Sequence, residues 1–173
     1  MEAKVLELID HHEIVRLLSE YCHGCDRGDA RLMGSVYATD SWDDHGAMQA
    51  PGKAFAEMMT ARILKVTDVL SHTLGQSFIQ IDGDHASAET YFIAVQHRKD
   101  TDGTPLCEQL GGRYVDRLER SKGRWQIKHR IAVRDWSITL EVQKDNFAMT
   151  RLTAGTRDAS DVGAALLGLA HRV

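Results

Sequence analysis

The sequence predicts an α+β fold: helices first, then a long antiparallel meander packed against them. Three observations carry this. Apolar residues in the opening stretch return at three- and four-residue steps, the period of an amphipathic helix. After Asp68 the pattern changes to alternation of apolar and polar residues, the period of a half-buried strand. The alternating runs are joined in pairs by short turn signals, "DGD" and "SKG".

Taken in order, Val5, Leu8, Ile9, Val15, Leu18, Cys22 and Cys25 mark a first helix that breaks at Gly28. A second short helix is expected over "DARLMGSVY", with Asp29 as its N-cap. "TDSWDDHG" reads as a brief strand or loop, and "PGKAFAEMMTARILKV" as a third helix with Pro51 near its first turn. "LSHTLGQSFIQIDGDHASAETYFIAVQHRK" holds two strands, and "LCEQLGGRYVDRLERSKGRWQIKHRIAVRDWSI" two more. The only prolines, Pro51 and Pro105, fall at element boundaries. Period-2 alternation in such a sheet decides which side chains line the hollow it leaves around its helices. Residues 1–140 are therefore expected to form one domain. The remainder, 141–173, is an extension expected to act as a lid or to end in a capping helix over "DASDVGAALLGLAHRV", weakened by Gly163 and Gly168.

With 173 residues the chain suffices for one domain with a real core and is short for two. Hydrophobic residues are 43% and charged residues 27%, an ordinary globular balance. A net charge of −4 without a basic cluster argues against a nucleic-acid surface. No apolar run approaches the roughly 18 residues that span a bilayer, so no membrane association is expected. The acidic, helix-patterned N-terminus does not read as a leader, and the expected compartment is cytoplasmic. Of three cysteines, Cys22 and Cys25 make a C-x-x-C at the end of a helix. A redox pair gains its low thiol pKa at a helix start, so these two are read as small buried side chains.

Asp26 follows Cys22 by four residues and Leu18 by eight, which places it on the core-facing stripe. Either it closes the helix against solvent or Arg27, or it faces inward and needs a partner, because a buried carboxylate without one is costly. His72 is the partner sought. In "SHTLGQSFIQI", continuous alternation puts His72, Leu74, Gln76 and Phe78 on one face, opposite Ile79 and Ile81. A carboxylate on one ring nitrogen sets the tautomer and makes the other nitrogen a better base. His72 is otherwise a structural hydrogen-bonder among apolar neighbours. Tyr21 flanks the same stripe, as a proton donor, as the base itself with Asp26 and His72 only orienting the substrate, or as a packed ring. Arg130 stands in an apolar strand, where it stabilises a developing anion or pairs with Asp116 next door. Trp42 is a pocket wall or another core tryptophan like Trp125 and Trp136. Tyr114 joins Trp42, Leu74 and Phe78 in the set expected to line the hollow. No pair of histidines has metal-ligand spacing such as H-E-x-x-H, and "DDHG" at 43–46 is a weak cation site without a second cluster. There is no G-x-G-x-x-G, P-loop or G-x-S-x-G, so nucleotide-dependent chemistry has no support.

"EIVRLLSEYCHGCDRGDARL", "SHTLGQSFIQIDGDHA" and "GGRYVDRLERSKGRWQIKHRIAVRDW" together resemble the SnoaL-like branch of the NTF2-like superfamily, over roughly residues 5–138. The resemblance implies an α+β cone that often pairs through the outer face of its sheet, here as a homodimer or homotrimer. The enzymes of this family include polyketide cyclases, scytalone dehydratase, hexachlorocyclohexane dehydrochlorinase, bile-acid 7α-dehydratases and lyases of lignin-derived aromatics. They work without a cofactor or metal, on hydrophobic small molecules, and share an Asp–His pair that Asp26 and His72 match. Tyr21 matches a tyrosine of the bile-acid dehydratases, while Arg130 and Trp42 match pocket residues of the dehydrochlorinase. Ala94 departs from the former, where an acidic residue is expected. The implied activity is a cofactor-independent elimination. Isomerisation or cyclisation with the same pair, or ligand binding and association without catalysis, are the alternatives.

Overall fold

In the computed structural model, residues 1–142, 152–158 and 160–168 are described. Helix α1 (Glu2–Arg27) is followed by α2 (Ala30–Ser35), strands β1 (Tyr37–His45) and β2 (Met48–Pro51), then α3 (Gly52–Val66). Strands β3 (Val69–Asp82), β4 (His85–Lys99), β5 (Pro105–Ser121) and β6 (Arg124–Glu141) follow, and α4 (Val162–Leu167) closes the described chain. One mixed sheet runs in the order β2-β1-β6-β5-β4-β3, all antiparallel except β1 against β6. "TDSWDDHG" thus falls in a full strand, β1, and with β2 beside it the sheet has six strands, two more than the four read as hairpins.

Helix α1 ends as its sequence dictates: Gly28 takes the left-handed conformation at φ 71°, which suits a residue without Cβ. A Cβ on Gly24 would lie 2.5 Å from the Met33 backbone nitrogen, so glycine there lets α2 fold back tightly on α1. The buried face of α1 consists of Ile14, Leu17, Leu18, Tyr21, Cys22 and Cys25. Val5, Leu8, Ile9 and Val15, counted into the stripe by spacing, are exposed, because the face turned to the core runs instead through Asp10, Ile14, Leu17, Leu18 and Tyr21. Asp10 ties the first half of the helix down, accepting from Trp125 Nε1 at 2.9 Å and pairing with Arg120.

Register fixes which side chains face the helices. Ile79, Ala88, Asp116, Arg130 and Asp43 form one row across β3, β4, β5, β6 and β1, on the inner side. The adjoining row, Gln80, Ser87, Arg117, His129 and Trp42, points outward. Strand β3 carries one extra residue between Leu74 and Ser77, a bulge that shifts its alternation by one. His72 and Leu74 therefore share the inner face with Ile79 and Ile81, and Phe78 does not.

In the extension, Arg157 donates to Thr67 Oγ1 and to the Thr67 carbonyl at 3.0 and 2.7 Å. Arg27 donates to the Thr156 carbonyl at 3.3 Å. The short helix expected at the end is present as α4, capped by Asp161. Residues 143–151, which the lid expectation includes, lie outside those described. No helix among the described residues is long and apolar enough to cross a membrane.

Candidate active site

A cavity of about 630 Å³ opens between the inner face of the sheet and helices α1 and α3. His72, Tyr21 and Tyr114 line it, together with His45, Phe92 and Ala94. This is the volume of a small-molecule site. Phe92 and Tyr114 stack face to face, with centroids 4.3 Å apart and 15° between planes, and aromatic carbon borders the cavity there.

Asp26 and His72 meet. The last turn of α1 before the Gly28 break carries the carboxylate to the start of β3. Asp26 Oδ1 lies 2.5 Å from His72 Nδ1, and Asp26 Oδ2 accepts the His72 backbone N–H at 2.8 Å. Both side chains are largely buried, 13% and 8% exposed, so the contact is shielded from water. A carboxylate only accepts, so Nδ1 carries the hydrogen and Nε2 is the nitrogen left for chemistry. Nε2 has no hydrogen-bond partner among the described residues. Of the two readings of Asp26, the inward one is the geometry found.

Tyr21 is fully buried against Tyr114 and Tyr37, at centroid distances of 5.5 and 6.1 Å. Burial, reinforced by the nearby Asp43 carboxylate, holds its phenol well above the ordinary range. It is a neutral donor rather than a base. Arg130 is not at the cavity wall. It has no exposed surface, makes a bidentate pair with Asp116 at 2.8 and 2.7 Å, and lies between the Tyr21 and Tyr114 rings at 4.1 and 4.2 Å. Burial alone would lower its pKa, but the Asp116 carboxylate outweighs this and holds it up. The pairing reading of Arg130 is the one the strand register produces, since Asp116 and Arg130 are direct neighbours on β5 and β6.

Two expected lining residues are corrected. Phe78 is 69% exposed on the outer face, because the bulge after Leu74 inverts the phase on which its placement rested. Trp42 is 42% exposed on the same outer face, since β1 turns Ser41, Asp43 and His45 inward. Leu74 is on the inner face but packs into the core, and Tyr114 lines the cavity as expected. The C-x-x-C cysteines are buried beside the site. Burial pushes the Cys22 thiol up to about 12, and raises Cys25 as well, so neither is a poised thiolate.

Sequence reasoning passed over His45. It lines the cavity, stacks on Phe55 at 4.7 Å, and its Nδ1 is held by Asp43, which also accepts the Tyr37 hydroxyl. The available signal was Asp43 and His45 two apart, hence on one strand face. It was missed because a reading of brief strand or loop does not fix the facing of side chains, and His45 was weighed only within the weak "DDHG" cation site. Among the described residues no three His, Cys, Asp or Glu side chains converge as a metal site.

Solved structures share this architecture. A scytalone dehydratase candidate from Novosphingobium aromaticivorans aligns with 17% identity and TM-score 0.69, covering 81% of this chain and 93% of its own. A hexachlorocyclohexane dehydrochlorinase, LinA type 2, aligns with 14% identity and TM-score 0.71, covering 86% and 99%. A Mycobacterium tuberculosis protein of unknown function aligns with 20% identity and TM-score 0.62, covering 94% and 86%. At these identities the likeness is one of fold, the NTF2-like cone. Curated protein sequences contain no match. The SnoaL-like domain model matches residues 6–131, and the chain belongs to that family.

Proposed function

We propose that this protein is a cofactor-independent lyase that eliminates water, or a comparable leaving group, from a hydrophobic ring-bearing small molecule. His72 Nε2 removes a proton from carbon while Asp26 holds the ring in one tautomer and balances the imidazolium that forms. Tyr21, kept neutral by its burial, donates to the oxygen on which negative charge develops. Arg130 acts at one remove, by its charge behind the Tyr21 and Tyr114 rings. Steroid, polyketide and lignin-type aromatic skeletons are the classes whose apolar rings suit a cavity lined by Ile63, Leu70, Phe92, Leu110 and Tyr114.

The observation that carries this reading is the shielded Asp26–His72 contact at the wall of a cavity large enough for a substrate. The non-catalytic alternative predicts either that these groups stand apart or that side chains fill the hollow, and the contact and the cavity weigh against it. Lyase-type relatives of the same fold, a scytalone dehydratase candidate and a dehydrochlorinase, add support. Turnover assays on ring-bearing β-hydroxy ketones, read by product mass, separate the outcomes. Dehydration removes the mass of water, while isomerisation or cyclisation leaves the mass unchanged. His72→Ala and Asp26→Asn are each expected to reduce turnover by at least about 10² with the fold intact, the usual contribution of a general base. Near-wild-type turnover in either variant rejects the assignment.

A further inference from the structure

The cavity holds a second imidazole mounted as firmly as the first. His45 is the last residue of β1, just before a turn in which Gly46 takes φ 73° and donates its backbone N–H to Asp44 Oδ1 at 2.8 Å. Its Nδ1 is bound to Asp43 Oδ1, and Asp43 Oδ2 accepts the Tyr37 hydroxyl. Asp43 has no exposed surface, and its neighbour in the sheet row is Arg130. A fully buried carboxylate is costly unless it is paired and hydrogen-bonded. Here two donors and an adjacent cationic position serve one anion whose own reach into the cavity is through the His45 ring. That ring stacks on Phe55, which fixes its plane. Because Asp43 takes Nδ1–H, the nitrogen turned to chemistry is Nε2, which has no partner among the described residues.

The two imidazoles line the same cavity, one beside each ring of the stacked Phe92–Tyr114 pair. His72 neighbours Phe92 at 6.1 Å between ring centroids, and His45 neighbours Tyr114 at 6.2 Å. A substrate filling the cavity would therefore have both imidazoles in its lining. We propose that His45, positioned by Asp43 and Tyr37, is the general acid that protonates the departing oxygen in the elimination for which His72 is the base. The inference rests on the lyase reading above and adds the second half of its proton balance. The C–H bond breaks with its proton going to His72 Nε2, and its electron pair forms the new double bond. The C–O bond breaks with its pair going to oxygen, and that oxygen takes the proton from His45 Nε2. The step starts with His72 neutral and its Nε2 bare, and with His45 as the imidazolium, both nitrogens protonated and the charge balanced by Asp43. It ends with the two states reversed, and exchange with water restores both. Asp43 and Tyr37 are positioning residues.

Two probes that differ in leaving group test this without the native substrate. Removal of the C3 proton from 1,2-benzisoxazole breaks the N–O bond and expels a phenolate that gains much from protonation. The 5-nitro derivative undergoes the same reaction but expels a stabilised nitrophenolate that gains little. Wild-type protein is expected to open both rings faster than His72→Ala does. His45→Gln, whose amide can still donate to Asp43, is expected to lose about 10² more in kcat/KM on the unsubstituted probe than on the nitro probe, the scale of one general acid. Tyr37→Phe keeps the imidazole and its carboxylate but loosens their mounting, and should shift the same ratio in the same direction by a smaller factor. Equal losses on the two probes in His45→Gln, or no loss, overturn the His45 assignment and leave the lyase reading standing. If His45→Gln fails to fold, as judged by circular dichroism, an unchanged ratio in Tyr37→Phe overturns it instead. Wild-type rates no higher than those of His72→Ala would remove the lyase reading itself and this inference with it.

Discussion

Removing the Asp116 carboxylate would leave the Arg130 guanidinium buried between two tyrosine rings with no anion bonded to it. A buried charge stripped of its partner costs about 3–5 kcal/mol, far more than loss of a surface ion pair. Asp116→Ala is thus expected to lower unfolding free energy by about that amount in guanidinium titrations. Loss of under about 1 kcal/mol, a surface pair's contribution, would mean the pair is not buried as described. Arg130 illustrates what residue-level reading can and cannot settle. Its charge in an apolar strand was visible, and both candidate roles were visible too. The choice between them depended on Asp116 lying opposite, in register, with no route for the guanidinium to the cavity. Asp26 was more legible in position, because helical spacing and the glycine stop after it put it on the core-facing stripe, but whether it turned to solvent or inward was decided by the contact with His72.

At the scale of elements, glycine and bulges shape the wall of the cavity. Gly112 on β5 lies beside a register shift, and a Cβ there would meet the Val133 carbonyl oxygen at 2.1 Å and Phe92 at 3.2 Å. The first neighbour is backbone and cannot swing away. Gly112→Ala is expected to cost about 1–3 kcal/mol in urea denaturation, the range for overpacking, and to tilt Phe92 away from Tyr114. Wild-type stability in this variant would show that β5 and β6 are less closely apposed there. Helices, turns and the four long strands were legible because their signals are local: caps, periods and turn residues. Strand β1 was not, since it is short, polar and paired in parallel with a strand about 80 residues later, which no local pattern records. The β3 bulge was hidden for a related reason. Alternation reads correctly on each side of it, but only the partner strand reveals the extra residue that inverts the phase and turns Phe78 outward.

At the scale of the whole molecule, burial of three phenols links the fold to pH. Tyr21, Tyr37 and Tyr114 are all held well above the ordinary phenol range, chiefly by burial. The native state keeps protons that the unfolded chain releases near pH 10. This stabilisation is complete below that pH and is lost as pH rises through and beyond it. Denaturation midpoints measured from pH 8 to 11 should fall at the alkaline end, with the buried phenols remaining unionised until the chain unfolds. Phenolate absorbance from these rings in folded protein would contradict this. The outer face bears Ile93, Trp136, Ile138 and Leu140, each more than 40% exposed, and is the surface on which the expected homodimer or homotrimer would form. Light scattering should give a multiple of the 19.3 kDa chain, reduced to one by Trp136→Glu; a wild-type monomer removes the expectation.

The sequence by itself determined the α+β class, the family and the point where the first helix stops, and offered the meeting of its last acid with a strand histidine as one of two readings. Tertiary structure alone decided that Arg130 is tied to Asp116, that Trp42 and Phe78 face outward, and that His45 shares the cavity with His72. Periodicity assigns a side chain to one face of its own element. Which faces enclose a common space depends on bulges, register and a parallel pairing between distant strands, and these exist only once the sheet has closed around its helices.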